Sequence, residues 1–589
     1  MERGSTTRWL LLGLAVALLL LFGPKLFGGS KATVQPLGPP DYLVADKRGE
    51  ATTCAIEGPR FSAELSTHGG SLRKYQLTEP KYRLGGQPIE LESTRWEGRA
   101  PLRTNLVAVG AADAQVAYHD LEWKLAKSDG TTCELTYADE TTELTKVVAA
   151  TGKPYELKVT LRVKNLAKEP KTHRATLEQA SFRRRGEIEG SVLRPQSEWQ
   201  SEVLVAGDKV TRFDATDFEP SDFEDKEFTA EKWRRAPGAA RFAAVSSSYL
   251  SQIVVPLASS KAAAAETLIE EFWASSKYPD KEKDPGFGYT YRARVAWEAA
   301  TLGPGEEQTY EALSYMGPKE RDLLAALGHG TPEVIQLGWF SAIAKLLVSY
   351  LYVLHGAFAS WGWAICLLTI TVRILLFPLS LAQIRSAVAM RKLKPDMDAI
   401  NAKYKDDAAM RGLALQELWR KNKVANPMVG CLPAVLQMPV WFALYSTLQT
   451  AVELYHVPFG PFIPDLSQPG KFFIIPIVLG ASSFLQQKLM PMQGDPAQQK
   501  MMLYMMPAIF TFMMLFLPAG LGVYMLTNTW LGIAQQVVVE RYMKDKATTG
   551  EITVREIEPK SKPSDDSPRR DALVASAKPA KAQKGSAKG

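Results

Sequence analysis

The sequence predicts a polytopic α-helical membrane protein that carries one large exported all-β domain, and three observations lead there. The polar text from about Lys31 to Glu333 gives way, between Leu337 and Val539, to a series of long apolar runs. Each run approaches the roughly 20 residues that a helix needs to cross a bilayer. Lysine and arginine gather in the loop Ala382 to Asn426 and in the tail after Val539, the asymmetry that marks cytoplasmic segments. The averages over 589 residues, 46% hydrophobic with a net charge of +7, conceal this division.

Residues 1–30 read as a membrane anchor: Arg3 and Arg8 precede an apolar run from Trp9 to Phe22. The run is short enough for a cleaved signal peptide. No small-x-small cleavage site follows closely, however, and Lys25 can snorkel so that the segment extends to Phe27, which favours the anchor. On either reading the basic flank stays inside and the polar domain is exported.

Residues 31–333 form that exported domain. Stretches such as Leu157 to Val163 alternate apolar and polar as half-buried strands do, and His68-Gly69-Gly70, Asp129-Gly130 and Gly286-Phe287-Gly288 punctuate turns. The pattern predicts an all-β sandwich with a few helices, serving as a scaffold or docking surface, or binding sugar or protein. No convergent carboxylates suggest catalysis. Cys54 and Cys133 fall here: a bridge between them suits an extracytoplasmic domain, and two free buried thiols fit equally. The six histidines are scattered and no CxxC or HExxH occurs, so no metal site is expected. No GxxxxGK[ST] occurs either, and no cofactor or nucleotide is expected.

Apolar runs then occupy Trp361 to Leu381, Val429 to Thr450, Phe472 to Lys488, Met501 to Leu517 and Leu521 to Val539. A further candidate, Leu337 to Phe358, carries Lys345 and His355. If it spanned, the basic loop and tail would both lie outside, against their charge. Residues 334–359 are therefore read as an amphipathic helix on the outer face, which leaves six spans with both termini cytoplasmic. Residues 360–381 form the second span and 427–540 spans three to six. Residues 382–426 read as a cytoplasmic helical hairpin, with Asp406-Asp407 at the turn; it is either a topogenic loop or a contact surface for incoming chains and anionic headgroups. The tail 541–589 is basic and reads as disordered, either touching ribosomal RNA or merely solubilising.

Polar residues within the runs carry the functional argument. Arg373 lies near the centre of the second span, where an arginine costs on the order of 3 kcal/mol. Helical spacing sets Cys366, Thr369, Arg373 and Ser380 on one side. Gln437 and Gln449, Ser482, Ser483 and Gln486, Thr511, and Tyr524, Thr527, Asn528 and Gln535 add polar groups to the other spans; singly each reads as interhelical glue. No acidic residue lies deep in any run, so Arg373 has no obvious ion-pair partner and argues for a water-filled cavity that attracts acidic or polar segments. Backbone carbonyls and buried water are the alternative. Methionines from Met490 to Met514 suit either ordinary packing or a surface that accepts varied apolar partners.

At this point the residues resemble a known family. Gly362-Trp363 through Thr371-Val372-Arg373, Pro378-Leu379 and Ala382-Gln383 are similar to the second span of the YidC/Oxa/Alb insertases. Val424-Ala425-Asn426-Pro427, Cys431-Leu432-Pro433, Gln437-Met438-Pro439 and Ala443-Leu444-Tyr445 look like the entry to their third helix. Asp495-Pro496, Gln498-Gln499-Lys500-Met501 and Pro518-Ala519-Gly520-Leu521 with Tyr524 and Asn528 resemble the later loops and last helix. Thr67-His68-Gly69-Gly70 and a domain after one anchor match the Gram-negative YidC arrangement more loosely.

The resemblance implies a bacterial inner-membrane insertase and chaperone without catalytic chemistry. It implies a five-helix core with a hydrophilic groove open to cytosol and lipid, and a periplasmic β-supersandwich related to sugar-binding folds. Arg373 would be the groove arginine, with Thr369, Gln437, Tyr524 and Asn528 near it; Met525 stands where the family often has a second aromatic. Expected partners are nascent membrane proteins, the SecYEG and SecDF components of the translocon, the ribosome through hairpin and tail, and membrane lipids. Two other classes are disfavoured by the residues themselves. A solute transporter should show repeated broken helices. A periplasmic carbohydrate-modifying enzyme would need a carboxylate or histidine constellation.

Overall fold

The computed structural model describes residues 50–548 except 85, 95–98, 109–114, 117–121, 189–201, 219–232, 259–261, 273–276, 278–279, 338–340, 406, 423–439, 441, 449, 471–472 and 490–495. The expected anchor, the tail from residue 549 and Gln437 therefore lie outside the described residues. Residues up to Gln535 belong to one compact unit, and a second begins at Gln536.

Alternation builds the β half. In Glu156–Asn165 the residues Leu157, Val159, Leu161 and Val163 turn inward, and in Thr142–Ala150 the inward set is Leu144, Lys146 and Val148. These strands lie side by side in a nine-stranded antiparallel sheet that runs from Val210–Phe213 at one edge to Lys124–Ser128 at the other. A seven-stranded sheet centres on Lys171–Arg184 and Gly288–Trp297. Apolar residues from both sheets join in one core. Polar struts also cross it: Gln179 Nε2 donates to Ser314 Oγ at 2.7 Å, and the Tyr310 hydroxyl lies 2.9 Å from His173 Nε2. A three-stranded sheet, Thr53–Gly58, Phe61–Ser66 and Leu72–Leu77, packs into the same core. Cys54 in its first strand is bridged to Cys133 in Thr132–Ala138, Cα atoms 6.1 Å apart, which resolves the two readings of these cysteines in favour of the bridge. At Gly70 the backbone has a φ of 57° and a Cβ would meet the Trp123 ring at 3.2 Å, so the turn requires glycine.

The second half is helical: α1 (Ser341–Phe358), α2 (Trp361–Leu375), α3 (Phe377–Lys403), α4 (Ala408–Lys421), α5 (Ile474–Leu489), α6 (Pro496–Met514) and α7 (Ala519–Thr548), with a further helical stretch at 442–448. The Trp361 to Leu381 run is not one helix. It breaks at Leu376, because Pro378 lacks an N–H and its ring crowds the preceding turn; α3 then restarts and carries the chain into the charged segment. Asp407 caps α4 by accepting from the N–H groups of Ala409 and Met410. Apolar residues of α1, α2, 442–448, α5, α6 and α7 bury one cluster.

The outer surface of this half is apolar too. Leu346, Val353, Trp363, Leu375, Ile477, Phe512 and Trp530 are all exposed, whereas among the described residues of the β half only Leu166 is an exposed large hydrophobic. Such surface suits lipid and not water. Among the described residues α1 alone is long and apolar enough to cross a membrane, while Trp361–Leu375, Ile474–Leu489 and Leu503–Met514 are shorter apolar helices.

The halves interlock around the turn Val452–Leu454. Val452 and Tyr455 belong to the β core, where Tyr455 lies 5.2 Å from Tyr249 and 6.1 Å from Tyr82 between ring centroids. Lys81 Nζ donates to the Glu453 carbonyl at 3.3 Å, and the Tyr352 hydroxyl of α1 donates to the Glu453 carboxylate.

Candidate functional site

Arg373 sits in the last turn of α2, and its guanidinium lies against α7. Nε donates to Asn528 Oδ1 at 2.6 Å, Nη2 to the Asn528 carbonyl at 2.8 Å and Nη1 to Gln535 Oε1 at 3.4 Å. Asn528, Gly532 and Gln535 follow the spacing that places residues on one helix face. Gln486 of α5 closes on the same point: a Cβ built on Gly532 would lie 2.7 Å from Gln486 Nε2 and 3.2 Å from Arg373 Nη2. Neutral amides and a carbonyl therefore hold the guanidinium. Among the described residues it makes no ion pair, so its charge is solvated by dipoles and not cancelled.

The other expected residues divide. Thr369 is buried and its hydroxyl bonds back to the Ile365 carbonyl at 2.7 Å, which leaves it little to offer a ligand. Cys366 Sγ meets Thr527 Oγ1 at 3.5 Å, so the polar side of α2 does face α7. Tyr524 is buried in the apolar cluster and Met525 packs, half-buried, against it. Among the described residues, Asn528 is the expected neighbour that hydrogen-bonds Arg373. Gln535 and Gln486 stood in the sequence only as interhelical glue, and Gly532 carried no signal; only the register of α7 against α2 brings them together.

The β half holds a second concentration of charge, arranged as buried ion pairs. Glu178 and Arg292 are both 0% exposed in a pair of 2.6 Å, and Glu266 accepts from Arg174, Arg235 and Arg294. Trp233 covers the Arg294 guanidinium at 3.5 Å. Burial works against the Glu178 carboxylate, yet Arg292 and Arg103 hold its pKa down at about 2. A carboxylate locked in its ionised form is a structural partner, not a general acid. Among the described residues no cluster of His, Cys, Asp or Glu could hold a metal.

Two family models match the chain. That of the YidC periplasmic domain covers residues 53–350, and that of the 60Kd inner membrane protein covers residues 353–546. A membrane protein insertase YidC from Anaeromyxobacter dehalogenans (strain 2CP-C) is 32% identical over 507 residues, 84% of this chain and 86% of the relative. One from Geotalea daltonii is 30% identical over 503 residues, 83% of this chain and 87% of the relative. A crystal structure of active YidC insertase with its first transmembrane domain resolved covers 89% of this chain and 98% of that one, at 18% identity and a TM-score of 0.36, too low to decide anything.

Proposed function

The chain belongs to the YidC family of membrane protein insertases, inner-membrane proteins with a periplasmic domain, and from that premise we propose that it inserts and helps fold integral membrane proteins through a hydrophilic groove centred on Arg373. One observation carries the reading: a cation among apolar helices, held among the described residues by neutral groups alone, keeps its charge available to a passing segment. An acidic or polar tail would be drawn toward it, and the wet interior would shorten the hydrocarbon that the tail must cross. The client's apolar segment would then leave into lipid by partition, without a cofactor, with the membrane potential acting on its charges.

Asn528 would line the groove beside the arginine, with Gln437 and Met525 the further lining residues that the family resemblance suggests, while the buried Thr369 and Tyr524 would back its wall. Six spans with both termini in the cytoplasm satisfy the charge of the loop and tail, with α1 laid along the periplasmic face. The buried set Ala344, Leu347 and Leu351 on one face of α1, with Lys345 exposed beside it, supports that placement. The hairpin of α3 and α4 would meet ribosome-bound chains and anionic lipids, and SecYEG and SecDF would work beside the core for larger clients.

The test is reconstitution of the purified chain in liposomes with a two-span client bearing a short acidic translocated loop. Protease protection of the loop, lost in Arg373→Ala and partly restored in Arg373→Lys, is the expected result. Equal insertion of acidic-loop and purely apolar clients by Arg373→Ala would sink the electrostatic role.

A further inference from the structure

We propose that Gly532 is the positioning residue of the arginine site: by lacking a side chain it bares the α7 backbone so that the Arg373 guanidinium can seat on it. The proposal rests on the arginine reading above and deepens it.

In a helix the carbonyl of residue 528 accepts the N–H of residue 532, and its second lone pair stays open to another donor. A side chain at 532 would lean toward the helix N-terminus and cover that same turn. Here the open lone pair is occupied by Arg373 Nη2 at 2.8 Å. A methyl at 532 would stand 3.2 Å from that nitrogen and 2.7 Å from Gln486 Nε2. With Asn528 on one side and Gln535 on the other, the glycine forms the floor of a three-point seat. The helix accepts a poor helix former here, where a Cβ would crowd both the Gln486 amide and the cation. Lysine would not need the floor, because a single ammonium can meet Asn528 Oδ1 without lying flat on the backbone.

The experiment is a cycle of Gly532→Ala with Arg373→Lys, read as initial rate of acidic-loop protection in liposomes. In the arginine background Gly532→Ala should slow insertion roughly fivefold or more, since a small displacement of a positioned group has large effects. In the Arg373→Lys background it should change the rate by less than about twofold. Equal losses in both backgrounds would mean that the glycine serves only helix packing, and no loss beside arginine, with Arg373→Ala impaired, would mean that the seat is irrelevant. The variant Gly532→Ala/Gln486→Ser makes room for the methyl against α5 and keeps the test valid if the single variant folds poorly. A client-free readout separates this idea from its premise: the Arg373 side-chain 15N resonances, identified by their loss in Arg373→Lys, should move in Gly532→Ala. Unmoved resonances overturn the seat. Moved resonances with normal insertion by Arg373→Ala keep the seat and overturn the proposed function.

Discussion

Arg373 Nε and Asn528 Oδ1 approach to 2.6 Å across two helices whose residues are 155 positions apart in the chain. The partner is an amide, so the bond orients the cation without neutralising it. Asn528→Asp would turn the contact into an ion pair of nearly the same shape. Insertion of acidic-loop clients should then fall to the level of Arg373→Ala, while Asn528→Ala should retain more activity. Protection assays on the two variants side by side check this ordering.

Lys146 is wholly buried between the sheets, donating to the Leu102 carbonyl and, at 2.9 Å, to Thr104 Oγ1. Burial lowers its pKa from 10.5 to about 7. Between those values the unfolded chain binds the extra proton, so this lysine makes stability rise with pH, by at most roughly 1.4 kcal/mol per unit. Below about pH 7 its penalty is fully present. Denaturant midpoints of the β half, followed by tryptophan fluorescence from pH 7 to 10, should climb less steeply in Lys146→Met. An unchanged slope would show that the lysine does not titrate in this window.

The Cys54–Cys133 bridge closes a loop of 79 residues and ties the small sheet to the large one. The chain-entropy model assigns a loop of that length about 4.5 kcal/mol. Cys54→Ala, Cys133→Ala and the double variant should therefore lose similar stability, without addition, and a reductant should bring the unaltered chain down to them. Additive losses would mean that the two positions act by packing alone.

Gly480 of α5 faces Thr511 of α6 so closely that any Cβ would collide with the Thr511 hydroxyl. Gly480→Leu should lower stability by about 1–3 kcal/mol, as overpacking does, and Gly480→Ala should be rescued by Thr511→Ala. Thermal unfolding in detergent reads both.

What the sequence disclosed and what it withheld follow from the range of the interactions. Leu157 to Val163 announced its strand because alternation is local, and Arg373 announced itself because a cation in an apolar run is conspicuous in one dimension. The break at Leu376 was signalled by Pro378 but hidden by unbroken hydrophobicity. The roles of Gly532 and Gln535 were not legible, since they depend on how α7 is rotated against α2. Nor was the burial of Tyr455 in the β core, because nothing in a short turn after residues 442–448 states which distant rings will receive it.

That last feature imposes an order on synthesis. The final strand of the β half ends at Pro318, yet its core is completed by Val452 and Tyr455, which emerge from the ribosome more than a hundred residues later. Until then the rings of Tyr82 and Tyr249 lack the Tyr455 ring that packs against both. The periplasmic half thus takes the last residues of its core from the chain between the helices of the other half. A β half made alone would lack part of its own core, so its final packing waits on the helical half that follows it in synthesis.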